Sequence, residues 1–143
     1  MGDDFRVIYW DTSAILSVLF KDRYSDIAQK WVHEEGVHFI STLVYAEACA
    51  VIARMQREGV FADILAQASF EILNEGPWRR LAAWPEWIIV QSLSAKWPLR
   101  GADLWHLATA KSIQNEIPEL FLLTFDARLQ KAAKGEGLVS IIK

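Results

Sequence analysis

Cysteine, glycine, proline and long hydrophobic runs are scarce in this sequence, and each shortage excludes a class of protein. Cys49 is the single cysteine in 143 residues, so the chain cannot form an internal disulfide framework or a cysteine zinc site. Seven glycines and four prolines are too few for a collagen-like or low-complexity chain. No apolar run approaches the roughly 18 residues of a membrane span, and residues 1–6 lack the apolar stretch of a signal peptide. We therefore expect a folded, cytoplasmic protein without a membrane segment.

An excess of positive charge is also missing. Fifteen Lys and Arg against 18 Asp and Glu give a net charge of −3, which argues against a protein that holds nucleic acid by a general positive field. A chain of this length with 52% hydrophobic residues can bury a core without disulfide or zinc support. We expect one domain over residues 1–143.

Tryptophan, by contrast, is abundant, with seven in the chain. Four of them fall between residues 61 and 98, where the sequence carries no recognisable motif: Trp78, Trp84, Trp87 and Trp97. The spacing of Trp84 and Trp87 places both on one helical face. Because Trp is enriched at binding hot spots but also packs in cores, an interface role and a core role both stay open for this pair.

Predicted strands and helices alternate along the chain. Short β-branched, aromatic or apolar runs predict strands at residues 5–10, 37–40, 78–81, 120–124 and 138–142. Capping residues and apolar spacing predict helices at residues 14–20, 25–35, 43–58, 61–75, 85–96, 102–115 and 127–135. Ser25 or Asp26 is expected to cap the second helix, Gly36 to end it, and Pro85 to lie in the first turn of the fifth. Since parallel strands need crossover connections, this alternation predicts an α/β fold with a parallel sheet covered on both faces.

Two aspartates directly follow apolar strands. Asp11 comes after the run VIYW and Asp126 after LFLLTF. In an open parallel sheet, ligands bind outside the carboxyl ends of the strands, so the two carboxylates would face one crevice if their strands are neighbours. Helix capping is the alternative explanation for each aspartate, and it does not exclude a ligand role.

Two further carboxylates lie in apolar surroundings. Glu47 is the only charged residue in the segment LVYAEACAVIA, and an unpaired carboxylate in a buried helix costs several kcal/mol. Asp103 lies near the start of a helix with small and apolar neighbours. An exposed helix edge for Glu47 and a favourable helix dipole for Asp103 are the alternatives. Four clustered carboxylates would raise one another's pKa values and demand a cation.

An all-oxygen ligand set indicates which cation would bind. Carboxylates suit Mg²⁺ or Mn²⁺ better than Zn²⁺, and Mg²⁺ usually shares its coordination with water and substrate phosphate. Such ions activate water and stabilise the leaving oxygen in phosphodiester cleavage. The carboxylates therefore point to phosphodiester chemistry.

Four segments carry a family resemblance: IYWDTSAIL, STLVYAEA, LRGADLWHLATA and LLTFDARLQKAAKGEGL. They resemble the PIN-domain family, and within it the VapC-type ribonuclease toxins of toxin–antitoxin pairs. The resemblance implies a three-layer α/β/α sandwich with a central parallel sheet of four to five short strands, and endonucleolytic RNA cleavage with Mg²⁺ or Mn²⁺. It also implies a homodimer and a cognate antitoxin that blocks the pocket with its C-terminal segment.

Carried over residue by residue, the resemblance makes Asp11, Glu47, Asp103 and Asp126 the metal-binding and catalytic residues, here called the acidic quartet. Gathering four of the 18 acidic residues around a cation would also leave the remaining surface less repulsive to RNA than the net charge suggests. Substrate-binding or supporting roles are expected for residues near the quartet: Ser13, Arg100, His106, Thr124 and Arg128. Helix capping, helix packing and simple solvation are the alternatives for these five.

Three rival functions remain open on the sequence. The first is a PIN-domain nuclease of RNA processing that is not a toxin. The second is a phosphatase with Asp11 as nucleophile, although such enzymes usually have a second acid two residues later, where this chain has Ser13. The third is a non-catalytic partner-binding module, which an intact acidic quartet disfavours.

Overall fold

The computed structural model describes residues 5–138 of the chain. In chain order the elements are β1 (Arg6–Trp10), α1 (Thr12–Leu19), α2 (Ser25–Val32), β2 (Gly36–Ser41), α3 (Thr42–Arg57), α4 (Asp63–Glu75), β3 (Trp78–Leu81), α5 (Trp87–Lys96), α6 (Gly101–Gln114), β4 (Leu120–Leu123) and α7 (Ala127–Gly135). The alternation of strands and helices predicted from the sequence is confirmed over this range. None of these helices is long and apolar enough to cross a lipid bilayer.

The four described strands form one parallel sheet in the order β3-β2-β1-β4. Ile8 of β1 lies between His38 of β2 and Phe121 of β4 in the register. The chain adds β2 and β3 on one side of β1 and then returns to add β4 on the other. The strand order therefore reverses at β1 and β4, where open α/β sheets bind their ligands.

Helices cover the sheet in two groups. Helices α1 to α4 contact one another, and α6 contacts both α5 and α7. The centre of β1 lies between them, and Ile8, Tyr9 and Trp10 are fully buried. This arrangement confirms the predicted three-layer α/β/α sandwich.

Some predicted boundaries are wrong. Helix α2 ends at Val32 and not near residue 35, and its N-cap is Tyr24, without a side-chain hydrogen bond. Gly36 does not end this helix but opens β2, where its φ of 151° and its pairing with Arg6 require glycine. A Cβ there would lie 2.0 Å from the backbone oxygen of Arg6. Strand pairing, which is absent from local sequence, decides this boundary.

The fifth predicted helix also begins later than expected. Pro85 precedes α5, whose N-cap is Glu86 and whose first residue is Trp87. The predicted last strand, residues 138–142, lies outside the described residues except for Leu138. The described sheet therefore has four strands, within the predicted four to five.

Candidate active site

Asp11 joins the central strand to the first helix. It follows β1 directly and caps α1, because its Oδ1 accepts a hydrogen bond from the backbone N–H of Ala14 at 2.9 Å. Its own backbone N–H donates to the carbonyl of Leu123, the last residue of β4. The capping alternative is thus correct for Asp11, and the cap holds the carboxylate at the switch point of the sheet.

The Asp11 carboxylate is 2% exposed. The hydroxyl of Ser13 donates to Oδ1 over 2.8 Å and that of Thr124 to Oδ2 over 2.7 Å. Burial raises the pKa of Asp11 to about 6, even though these hydrogen bonds and that from Ala14 favour the ionised form and lower it. Desolvation is therefore the dominant influence on this group.

A pair of hydroxyls connects the ends of β1 and β4. Ser13 Oγ lies 3.2 Å from Thr124 Oγ1 and accepts a hydrogen bond from the backbone N–H of Phe125. Thr124 Oγ1 accepts from the backbone N–H of Asp126, whose own Oδ1 caps α7 by accepting from Leu129 N. Ser13 and Thr124 thus bring the loops that carry Asp11 and Asp126 together.

Glu47 is paired with a buried histidine, the partner that its apolar helix demands. Its Oε1 accepts from Nε2 of His106 at 2.9 Å and from the hydroxyl of Thr12 at 2.6 Å. The His106 hydrogen bond is the largest influence and lowers the pKa of Glu47; burial raises it, and the Thr12 hydrogen bond lowers it further. The carboxylate is therefore held in its ionised form. His106, three residues after Asp103, thus contacts the acidic quartet through Glu47.

Tyr9 extends this network into the core. Its hydroxyl lies 2.9 Å from Nδ1 of His106 and donates to Oγ of Ser41 at 3.0 Å. Ser41 Oγ in turn accepts from the N–H of Val44 and so caps α3, the helix of Glu47. Burial raises the pKa of Tyr9, which keeps the hydroxyl protonated. Tyr9 is not among the residues predicted from the sequence, although a tyrosine inside an apolar strand indicates a buried hydroxyl that needs a partner.

Asp103 and Asp126 line one cavity. This cavity, of about 400 Å³, is also lined by Leu99, Arg100, Ala127 and Arg128. The pKa of Asp103 is raised, first by burial and then by the charge of Asp126; Glu47 also raises it, while His106 and Arg100 lower it. We call this the acidic cavity.

The four members of the acidic quartet are not equally placed. Asp103 and Asp126 line the acidic cavity, and Glu47 is near enough for its charge to raise the pKa of Asp103. Asp11 and Glu47 do not line it. Their carboxylates accept hydrogen bonds from other protein groups, among them Thr124 for Asp11 and Thr12 for Glu47. Within residues 5–138, no three Asp, Glu, His or Cys side chains are placed to hold one metal ion together.

The donor chemistry nevertheless fits a hard divalent cation. The Asp103 carboxylate accepts no hydrogen bond from a described protein group, and in the Asp126 carboxylate only Oδ1 does so. Mg²⁺ is typically bound by one or two carboxylates, with water and substrate phosphate completing its shell. Asp103 and Asp126 are two neighbouring carboxylates whose negative charges repel each other. They meet that requirement, since a bound cation would relieve the repulsion.

Residues near the cavity divide into two groups. Arg100 and Arg128 line it, and their contact with a phosphate stays a prediction. Lys111, a third cation of this part of the chain, does not line it and donates to the backbone oxygen of Glu136 at 2.7 Å. Ser13, Thr124 and His106 contact acidic side chains and do not line the cavity. Cys49 is a half-buried free thiol in α3.

The tryptophans are also divided by the structure. Trp10 and Trp78 are buried and lie edge to face. Trp84 and Trp87, by contrast, are 74% and 91% exposed. Neither residue of this pair therefore packs in the core formed by the described residues, and the prediction of a core role is wrong.

Comparison with known proteins gives relatives for this arrangement. Ribonuclease VapC35 of Mycobacterium tuberculosis is 29% identical over 143 aligned residues, covering 94% of this chain and 96% of that protein. VapBC2 from Rickettsia felis, solved with a DNA fragment from their promoter, superimposes with a TM-score of 0.65 at 13% identity, over 93% of this chain and 96% of that one. VapC20 of M. tuberculosis, described as a sarcin-ricin loop cleaving toxin, gives a TM-score of 0.60 at 16% identity, over 87% and 94%.

The two structural likenesses establish the fold, since their sequence identities are low. The sequence itself also matches the PIN domain family. The match covers residues 8–135 and includes all four members of the acidic quartet. With most of the sequence matched, the chain belongs to the PIN domain family.

Proposed function

We propose that this protein is a divalent-metal-dependent endoribonuclease and the toxin of a toxin–antitoxin pair. The observation that carries the proposal is the acidic cavity, which Asp103 and Asp126 line together with Arg100 and Arg128. Carboxylates beside guanidinium groups suit a phosphodiester together with the cation that neutralises it. The similarity to a curated ribonuclease along nearly the whole chain supports RNA as the substrate.

Asp103 and Asp126, which line the acidic cavity, would hold Mg²⁺ or Mn²⁺ next to the substrate, and Glu47 would add its negative charge to their site. A metal-binding role for Asp11 stays a prediction from the family resemblance. When bound, such an ion supplies an activated water and stabilises the leaving oxygen of an in-line displacement. Arg100 and Arg128 bind the phosphate oxygens and position the scissile bond. Products with 5′-phosphate and 3′-hydroxyl ends are expected.

Side chains that contact Asp11 and Glu47 position these two members of the acidic quartet. Ser13 and Thr124 orient the Asp11 carboxylate through one hydrogen bond to each oxygen. His106 and Thr12 hold Oε1 of Glu47 and leave Oε2 available. These contacts restrict the rotation of carboxylates that would otherwise repel one another.

Two partners belong to the proposal. One is an antitoxin, which the structural similarity to VapBC2 supports. The other is a second copy of this chain, as the family resemblance implies. A surface for one of them is available around the exposed Trp84 and Trp87, which line an apolar cavity of about 840 Å³ with Ile88 and Trp105.

The Asp11 environment argues against the phosphatase alternative. A carboxylate nucleophile needs an accessible oxygen, whereas Asp11 is 2% exposed and both of its oxygens accept hydrogen bonds. Ser13 is also committed to Asp11 and Phe125 and provides no second acid. The other alternative, a PIN-domain nuclease of RNA processing, would cleave RNA by the same chemistry and differ only in its cellular role. An antitoxin gene beside this one would distinguish the two.

Cleavage of a labelled single-stranded RNA tests the activity. We expect internal cuts with Mg²⁺ or Mn²⁺ and no cuts with a chelator. Asp126→Asn removes the charge while keeping a good helix cap, so loss of cleavage in this variant would report on the carboxylate and not on folding. Glu71→Gln, on the exposed face of α4, is the control and should cut like the unaltered protein. Cleavage that persists in Asp126→Asn would refute the proposal.

A further inference from the structure

A second cavity adjoins the acidic cavity along helix α7. It measures about 510 Å³ and is lined by Lys96, Trp97, Pro98, Leu99, Arg128 and Lys131. Leu99 and Arg128 line both cavities, so the two lie next to each other. We call this second cavity the basic groove.

The cationic wall of the basic groove comes mainly from α7. This helix carries three cations, at Arg128, Lys131 and Lys134, and no acidic residue, in a chain whose net charge is −3. Arg128 and Lys131 are exposed, and neither forms a salt bridge within residues 5–138. Their charges are therefore available to an anionic ligand. Lys96 differs, because its Nζ lies 3.1 Å from Oε2 of Glu136.

The apolar part of the lining comes from Trp97, Pro98 and Leu99, and contacts with α7 and Glu136 hold Trp97 in place. The indole Nε1 of Trp97 donates to Glu136 over 2.9 Å. Its ring packs against Gly135 so closely that a Cβ there would lie 2.4 Å from the indole. Trp97 is half-buried, which fixes one side of the ring and leaves part of it facing the groove. The basic groove thus combines free cations with a rigid aromatic surface.

We infer that the basic groove binds single-stranded RNA next to the nucleotide at the acidic cavity. This inference rests on the proposed function, since it extends the path of the same substrate. Proteins that bind single strands combine a positively charged groove with aromatic side chains on which bases stack. In this chain, Arg128 and Lys131 would contact successive phosphates, while Trp97 supports a base.

Single-stranded RNA fits the groove better than a duplex does. A cavity of about 510 Å³ has the size of pockets that enclose one small-molecule ligand, which suits a nucleotide. Double-stranded RNA is instead recognised by shape along about 16 base pairs, and such a surface is much longer than this groove. An unpaired strand can also splay its base onto Trp97, whereas a paired base cannot.

Equilibrium binding without metal tests the groove separately from cleavage. A fluorescent single-stranded oligonucleotide is titrated with the unaltered protein, Lys131→Gln and Lys134→Gln in the presence of a chelator. Lys134 is the matched control, because it is exposed on the same helix but lines neither cavity. We expect Lys131→Gln to raise Kd about two- to fivefold, the usual range for one exposed charge contact, and Lys134→Gln to leave it unchanged.

The salt dependence gives a second readout. Each phosphate contact contributes about 0.7 to the slope of log K against log salt for a single strand. Arg128→Gln combined with Lys131→Gln should lower the slope by about 1.4, and Lys134→Gln should not change it. In cleavage assays Lys131→Gln should raise KM while kcat stays the same, since Lys131 lies away from the acidic cavity.

Three outcomes would overturn the inference while leaving the proposed function intact. Equal effects of Lys131→Gln and Lys134→Gln would mean that α7 attracts RNA only by its overall charge. Unchanged binding in all variants would mean that RNA passes elsewhere. Competition by poly-glutamate as strong as by an RNA of equal charge would assign the groove to an acidic protein. Binding that follows our expectation without any cleavage would instead refute the proposed function alone.

Discussion

Nε2 of His106 on α6 lies 2.9 Å from Oε1 of Glu47 on α3, and the hydrogen bond joins residues 59 positions apart in the chain. Nδ1 of the same ring lies 2.9 Å from the hydroxyl of Tyr9 in β1. A ring held at both nitrogens cannot rotate, and His106 is only 1% exposed. The direction of the Glu47 carboxylate is therefore set by the core of the protein.

Replacing His106 with alanine should destabilise the protein and raise the pKa of Glu47. The hydrogen bond from His106 is the largest influence that lowers this pKa. A depressed carboxylate pKa stabilises the fold above the pKa of the unfolded chain, and this stability is lost as the pH falls through the folded pKa. Together with the partner lost by Tyr9, we expect a cost of about 1–3 kcal/mol at neutral pH that diminishes in acid. Urea unfolding at several pH values measures it.

His33→Ala is the matched control for this experiment. His33 is exposed and follows the end of α2, so its replacement should change the free energy of unfolding by no more than about 0.5 kcal/mol. A carbon-detected NMR titration of Glu47 gives the second readout. If Glu47 titrates at the same pH in His106→Ala as in the unaltered protein, the hydrogen bond does not set its charge.

Asp11→Asn should gain stability relative to the unaltered protein as the pH rises. Burial raises the pKa of Asp11 from 3.8 to about 6. A raised carboxylate pKa contributes stability that is present below pH 3.8 and is lost as the pH rises through 6. Asparagine carries no charge and escapes this loss. Between pH 3.8 and pH 7, the difference in unfolding free energy should shift in favour of Asp11→Asn by about 3 kcal/mol.

Chemical denaturation with a chelator present measures this shift without interference from bound cations. The sign of the pH dependence matters more than its size, because asparagine also alters the hydrogen bonds from Ser13 and Thr124. Those changes are independent of pH and displace the whole curve. A difference that stays constant between pH 3.8 and pH 7 would show that Asp11 titrates near its ordinary value.

Mg²⁺ or Mn²⁺ should stabilise the folded protein through the acidic cavity. At about a hundred times its dissociation constant, a cation that binds only the folded state adds about 2.7 kcal/mol, which corresponds to a rise of roughly 5–10 °C in Tm for a chain of this length. Asp103→Asn should abolish the rise, and the exposed Glu71→Gln should retain it. Differential scanning calorimetry decides, and an equal rise in Asp103→Asn would place the cation elsewhere.

Much of the candidate site could be predicted from local sequence. Asp11 and Asp126 follow apolar strands directly, and Glu47 is a lone charge in an apolar helix; both patterns have a physical meaning that needs no structure. The parallel direction of the strands was also predictable, because the alternation of strands and helices provides the crossovers that parallel strands require. Family resemblance then supplied the chemistry that would use these carboxylates.

The family resemblance named His106 and Thr124 as supporting residues, but it could not be predicted which carboxylate each would contact, because the pairs come from distant segments. Nothing near Glu47 in the sequence identifies His106, and nothing near Asp11 identifies Thr124, which lies 113 positions away. The boundary at Gly36 failed for the same reason, since its backbone conformation is imposed by pairing with Arg6. Local sequence patterns indicate which residues need a hydrogen-bond or strand partner. The packing of β1 against its neighbouring elements determines which residues become those partners.

Two exposed tryptophans, Trp87 at the start of α5 and Trp84 in the segment before it, should mediate association with a partner chain. Trp84 and Trp87 are 74% and 91% exposed and, with Ile88 at 77%, form an apolar surface. Exposed aromatic side chains of this size are typical of binding hot spots and costly to leave in water. Changing both tryptophans to serine should therefore convert a dimer to monomer, or abolish antitoxin binding, in sedimentation velocity. Ile27→Ser, an exposed apolar position on α2, is the control. Because neither tryptophan belongs to the core, both variants should unfold at the same urea concentration as the unaltered protein; unchanged association in the serine variant would exclude this surface as an interface.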